Sequence, residues 1–148
     1  MKTLTLFVAS LLVAGAARAE ERATPEDAQE LVKTAVSYLK KHGPEKAYPE
    51  FQNKKGPFIY KDLYVSVYDL TGRCVAHGAD PARVGRDFSA SKDATGKLFV
   101  MERVKVAKEK GSGWVEYKEI NPADGKTESK TSYIERVGDV FISAGAYK

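Results

Sequence analysis

The chain has 148 residues, 43% of them apolar, with 24 Lys and Arg against 20 Asp and Glu and one cysteine. That length suits one domain that buries a core without staples, and one cysteine excludes an intramolecular disulfide, a Cys-x-x-Cys-His haem attachment and a cysteine zinc site. The charges are interspersed, with no basic run long enough to follow a phosphate backbone, so nucleic acid is not an expected partner.

Residues 1–19 read as a cleavable leader. Lys2 supplies a short positive region, Leu4 to Ala14 an apolar stretch, and Ala17-Arg18-Ala19 a small-x-small cleavage site. The apolar stretch falls short of the roughly 20 residues a membrane span needs, and no later segment is apolar enough to cross a bilayer. The expectation is a periplasmic protein of residues 20–148, near charge balance once Lys2 and Arg18 are removed, with no stable membrane insertion.

Thr24-Pro25-Glu26-Asp27 is a helix start: a hydroxyl cap, proline at the first position and acids where the dipole favours them. The helix is predicted over residues 25–41, with Ala28, Leu31, Val32, Ala35, Tyr38 and Leu39 in one buried stripe, and His42-Gly43-Pro44 ends it. A shorter helical piece follows from Pro44 to Phe51. From Leu63 to Asp69 the period becomes two, as in a strand; Leu70 to Arg73 is a turn, and Cys74 to His77 returns as the second arm of a hairpin. There Cys74 reads as a small buried apolar residue. Gly78 to Asp87 is a loop, and Asp93 to Lys108 a second helix with Leu98, Met101 and Val104 inward and Val100 and Ala107 as further candidates for that face. Strands at Gly113 to Ile120, Glu128 to Val137 and Val140 to Tyr147 complete an α+β domain: a five-stranded antiparallel sheet, a long helix in front and a helix inserted after the second strand.

A specific set of residues adds to this pattern. Gly56-Pro57-Phe58, Asp62 to Asp69, Gly72, Ala76 to Pro81, Val84 to Asp87, Asp93, Gly96-Lys97, Gly113 to Lys118, Pro122, Lys130, Ser132-Tyr133 and Gly145-Ala146-Tyr147, in that order and spacing, resemble the single Cache domain, type 2. The resemblance covers nearly all of residues 20–148. It implies a PAS-like sheet crossed by the long N-terminal helix, with a small-molecule pocket between the sheet's other face and its covering loops. It also implies an extracytoplasmic sensor whose ligand is a small organic acid, such as acetate, propionate, pyruvate or malate. Members of the family often lie between two membrane helices and feed a chemoreceptor, kinase or cyclase. Here the leader and the lack of a second span predict instead a soluble binding protein that reports to a membrane sensor partner.

A small carboxylate stripped of water needs a cation or several converging donors. The matching segments offer His77, Lys130, the phenols of Tyr64, Tyr117 and Tyr133, and the indole of Trp114 as ligand contacts. Each has a structural alternative. Tyr64 and Tyr133 fit equally well as core aromatics, His77 as a cap for loop backbone, Lys130 as a solvated strand residue, and Trp114 as a sheet anchor. Strand alternation also sets Trp114 and Tyr117 on opposite faces. Arg83 and Arg86 flank a loop glycine and read as solvated, with reach to an acid ligand from above as the alternative.

An enzyme finds little support: His42 and His77 make no metal cluster, no serine lies in a Gly-x-Ser-x-Gly elbow, and Gly111-Ser112-Gly113 lacks phosphate-loop spacing. No metal or cofactor is expected, haem included. A structural or protein-interaction role without a small ligand is the alternative. Cache domains often pair through the long helix, and Val36 is the one apolar residue opposite the core stripe, so the expected state is a monomer or weak homodimer.

Overall fold

A computed structural model of the protein describes residues 21–121 and 124–148; the leader assigned to residues 1–19 lies outside them. Helix α1 spans Pro25–His42 and opens on the anticipated signals: the Thr24 hydroxyl accepts from the Asp27 N–H, and the Asp27 carboxylate accepts from the Thr24 N–H. Its last turn ends at Gly43, whose φ of 78° suits glycine, and helix α2, Pro44–Phe51, begins immediately.

Strand β1 is Ser66–Asp69, shorter than the alternating run. Residues 60–63 form a separate tight bridge, Tyr60 to Leu63, with Lys61 at φ 53°, which breaks the strand before Ser66. Strand β2, Cys74–His77, completes the hairpin, and a 3-10 turn, Pro81–Arg83, sits in the loop that follows. Helix α3 is Phe99–Lys110, starting six residues later than predicted. The Asp93 Oδ1 accepts from the N–H groups of Thr95 and Lys97 and from the Thr95 hydroxyl, and its Oδ2 accepts from the Lys118 N–H. Asp93 therefore caps a loop turn and ties it to the sheet edge. Leu98, expected inward, is exposed, and Val100, Arg103, Val104 and Ala107 are the buried face.

Strands β3 (Ser112–Ile120), β4 (Thr127–Val137) and β5 (Val140–Tyr147) are antiparallel, and the sheet order is β2-β1-β5-β4-β3. One face carries Val65, Val67, Ala76, Tyr133, Ile142, Ala144 and Ala146 against α1 and α2. The other carries Tyr68, Cys74, Ile134 and Phe141 against Val100, Val104 and Ala107 of α3. Cys74 is buried, and burial pushes its thiol up to about 11, as befits a packing residue.

Val36 is corrected by this packing. It is 4% exposed and shares a buried cluster with Ala47 and Phe51, because α2 doubles back along α1. Val36→Ala is expected to cost about 1–3 kcal/mol in urea unfolding, as removal of buried methyls does, with no change in sedimentation of the folded protein.

Candidate functional site

The second face is apolar only where α3 covers it. Beside that apolar patch, strand register sets polar residues side by side. Ser66 lies opposite both His77 and Ser143; Ser132 lies opposite Gly145; Lys130 lies opposite both Tyr117 and Tyr147. Since alternate residues share a face, these rows point to one side, where all but Tyr147 line a cavity of about 20 Å³ with Tyr64, Arg83, Phe99, Arg103 and Glu119. By the same measure one water needs roughly 10–15 Å³. The cavity as folded is therefore water-sized.

Lys130, 3% exposed, is a buried cation of the site, as is Arg103. Its Nζ donates to the Glu119 carboxylate at 2.8 Å and lies 3.5 Å from the Tyr64 hydroxyl, with the rings of Tyr64 and Tyr147 about it at 5.1 and 4.9 Å. Burial works strongly against the ammonium. The phenol oxygens of Tyr64 and Tyr117 and the Glu119 carboxylate outweigh it, and Lys130 is held above the ordinary lysine range. Burial also raises the Tyr64 phenol, which stays a neutral donor. Gly145 makes room for the lysine: a Cβ there would come within 2.9 Å of the Ser132 Oγ and 3.0 Å of the Lys130 Cε.

His77 is buried beside Tyr64, with ring centroids 4.9 Å apart and the planes tilted by 39°. Burial first, and then the Arg83 charge, hold its imidazole down to about 4, so the ring is neutral at neutral pH. Its Nδ1 accepts from the N–H groups of Ala79 and Asp80 at 3.3 and 2.9 Å, so the neutral ring carries its proton on Nε2. The backbone-capping role foreseen for His77 is what fixes this tautomer.

Four of the six residues singled out from sequence, Tyr64, His77, Tyr117 and Lys130, line this cavity. Trp114 and Tyr133 do not. Both project from the opposite face, packed on each other with ring centroids 5.2 Å apart; Trp114 is 42% exposed and Tyr133 belongs to the α1 core. They sit opposite each other in the β3–β4 register, one residue out of phase with the cavity rows. Arg83, read as solvated, lines the cavity with its Nη2 3.4 Å from the Tyr68 hydroxyl. Arg103 was missed. Its signal was present: it lies on the stripe of Val100, Val104 and Ala107, where a cation is out of place unless it has a purpose. Two surface clefts adjoin the cavity, one of about 280 Å³ that shares Tyr64 and one of about 180 Å³ that shares Tyr117.

Comparison with known proteins agrees with this architecture. The chain is 32% identical over 88 residues to the methyl-accepting chemotaxis protein McpP of Pseudomonas putida, a match covering 58% of this chain and 16% of that much longer protein. A Cache chemosensory domain solved in a study of carboxylic acid recognition superposes with TM-score 0.67 at 27% identity, over 82% of this chain and 91% of that one. The periplasmic sensor domain of a chemotaxis protein gives 0.63 at 25% identity, over 82% and 88%. A methyl-accepting chemotaxis protein from Vibrio parahaemolyticus gives 0.71 at 17% identity, over 82% and 86%, a likeness of fold. These matches are chemotaxis proteins or chemosensory domains, and none of the described helices here is long and apolar enough to cross a membrane. The family model for the single Cache domain 2 matches residues 1–148, and the chain belongs to that family.

Proposed function

We propose that this protein is a periplasmic sensor-type binding module, residues 20–148 after loss of its leader, that takes a small organic acid without covalent chemistry and reports to a membrane signalling partner. The observation that carries this reading is the charge of the cavity wall: Lys130, Arg83 and Arg103 face it with Glu119 as the one carboxylate among its lining residues. Such a wall favours an anion. Lys130, the hydroxyls of Tyr64 and Tyr117 and the Nε2–H of His77 are the donors for one carboxylate. The relative solved in a study of carboxylic acid recognition supports the same ligand class.

Binding fits these groups better than catalysis does. The Ser66 and Ser143 hydroxyls bond to each other at 2.8 Å, the Ser132 Oγ faces the Tyr117 hydroxyl at 3.4 Å, and the His77 Nδ1 is committed to backbone. No serine here has a base to activate it. A two- to four-carbon acid exceeds the present cavity, so the segment between Gly78 and Leu98, or the Tyr64 and Tyr117 side chains that part the cavity from the surface clefts, must move to admit it.

Lys130→Met is expected to weaken binding of propionate, or of whichever short-chain acid a thermal-shift panel selects, by at least about thirtyfold in calorimetry, the scale for removing one partner of a buried charge pair. No heat or thermal shift from any acid with the unmodified protein would instead favour a protein-interaction role. His77 sets an acid-side limit on stability. Unfolded it takes a proton near 6.5 and folded only near 4, so between these values the unfolded state binds more protons and stability falls as pH drops. From pH 7 to 5 the loss should be a few kcal/mol at most. His77→Gln should flatten that slope in urea unfolding, whereas equal slopes would exclude a neutral buried His77.

A further inference from the structure

Among the described residues, two buried side-chain polar atoms lack a hydrogen-bond partner: Arg83 Nε and Arg103 Nε. Both residues line the same cavity, and neither guanidinium is in an ion pair with a described carboxylate. Arg103 is only 4% exposed, its guanidinium held over the rings of Phe99 and Tyr117 at 5.3 and 4.7 Å from their centroids. Arg83 lies over the ring of Phe88 at 4.3 Å and reaches the Tyr68 hydroxyl. Both cations act on that Tyr68 hydroxyl, opposing the rise that burial imposes on it. They form one pole of the cavity. The other pole, Lys130, is compensated by Glu119 at 2.8 Å.

We propose that the ligand carries two carboxylates, the second held at the Arg83 and Arg103 pole; this rests on the carboxylate reading above. The wall presents three cations, one carboxylate and a neutral imidazole, so two positive charges stand uncompensated where solvent is largely excluded. A monocarboxylate balances one. A dianion balances both, and its second carboxylate accepts the two idle Nε–H groups in the bonding that guanidinium and carboxylate planes favour. Aromatic stacking holds both guanidiniums in position without satisfying the donors at their edges. Arg83 belongs to the covering segment, Arg103 to α3 and Lys130 to the sheet, so an acid with a charge at each end spans the sheet and its cover.

The test is calorimetry of the full chain with length-matched pairs, succinate against butyrate and malonate against propionate. In at least one pair the dicarboxylate is expected to bind about tenfold or more tightly, and Arg103→Gln should collapse that ratio toward one. Arg83→Gln, on the partly exposed loop, provides a second variant whose folding does not depend on α3 packing and should lower the ratio likewise. Monocarboxylates that bind as tightly as their dicarboxylate partners in the unmodified protein, or a preference that survives in both variants, would overturn the inference and leave the carboxylate reading standing. Failure of all four acids to bind would overturn both.

Discussion

A buried ammonium in β4 is the constraint around which the second face of the sheet is organised. Moving a charge of that size out of water costs several kcal/mol even after relaxation, and it is sustained only where partners surround it. Lys130 has them from every direction: Glu119 one strand away, Tyr117 and Tyr147 directly opposite on the two flanking strands, and Tyr64 from the chain leading into β1. Gly145 is small because anything larger would strike the lysine stem and the Ser132 hydroxyl. The character of five positions scattered from residue 64 to residue 147 thus follows from one charge at residue 130.

The two faces of the sheet divide the labour of the domain. The α1 face is apolar from Val65 to Ala146 and supplies cohesion. The other is apolar beneath the middle of α3, and its polar rows make a site where Phe99 and Arg103 from the first turns of α3 and Arg83 from the preceding loop cover them. Asp93 stiffens part of that covering. Four hydrogen bonds converge on its carboxylate, which is held down at about 2 despite the opposing effect of burial, and they anchor the turn at residues 93–97 to the edge of β3. The stretch carrying Arg83 is tied to the other edge of the sheet, where the Gly85 N–H donates to the Cys74 carbonyl at 2.8 Å and the Cys74 N–H to the Arg86 carbonyl at 3.0 Å; the His77 ring braces its start.

Much of this was legible in the sequence, for identifiable reasons. The caps of α1, the alternation in β3 to β5 and the turn residues between them are local signals, and the elements formed where those signals lay. Alternation even set Trp114 and Tyr117 on opposite faces; what it lacked was which face held the site, and Tyr133 needed the β3–β4 register to be placed with Trp114. The start of α3 failed because a side chain competed with the helix: of the two roles open to Asp93, helix cap and loop cap, it takes the second and bonds its own loop. Val36 failed because its partner comes from α2, a tertiary contact. Arg103 was hidden by habit, since an arginine in a helix is ordinarily solvated, although its spacing from Val100 and Ala107 placed it on the buried stripe.

The same alternation bears on how occupancy could be felt elsewhere. Strands β4 and β5 carry Lys130, Ser132, Ser143 and Gly145 toward the cavity and Thr131, Tyr133, Ile142 and Ala144 toward the opposite face, where α1 packs on both strands. No layer intervenes between ligand side and helix side: each cavity residue is one peptide away from a residue on the helix-facing side. Close-packed interiors transmit displacement instead of absorbing it. Any displacement that an entering acid imposes on β4 or β5 is therefore met directly by α1, which packs on both strands.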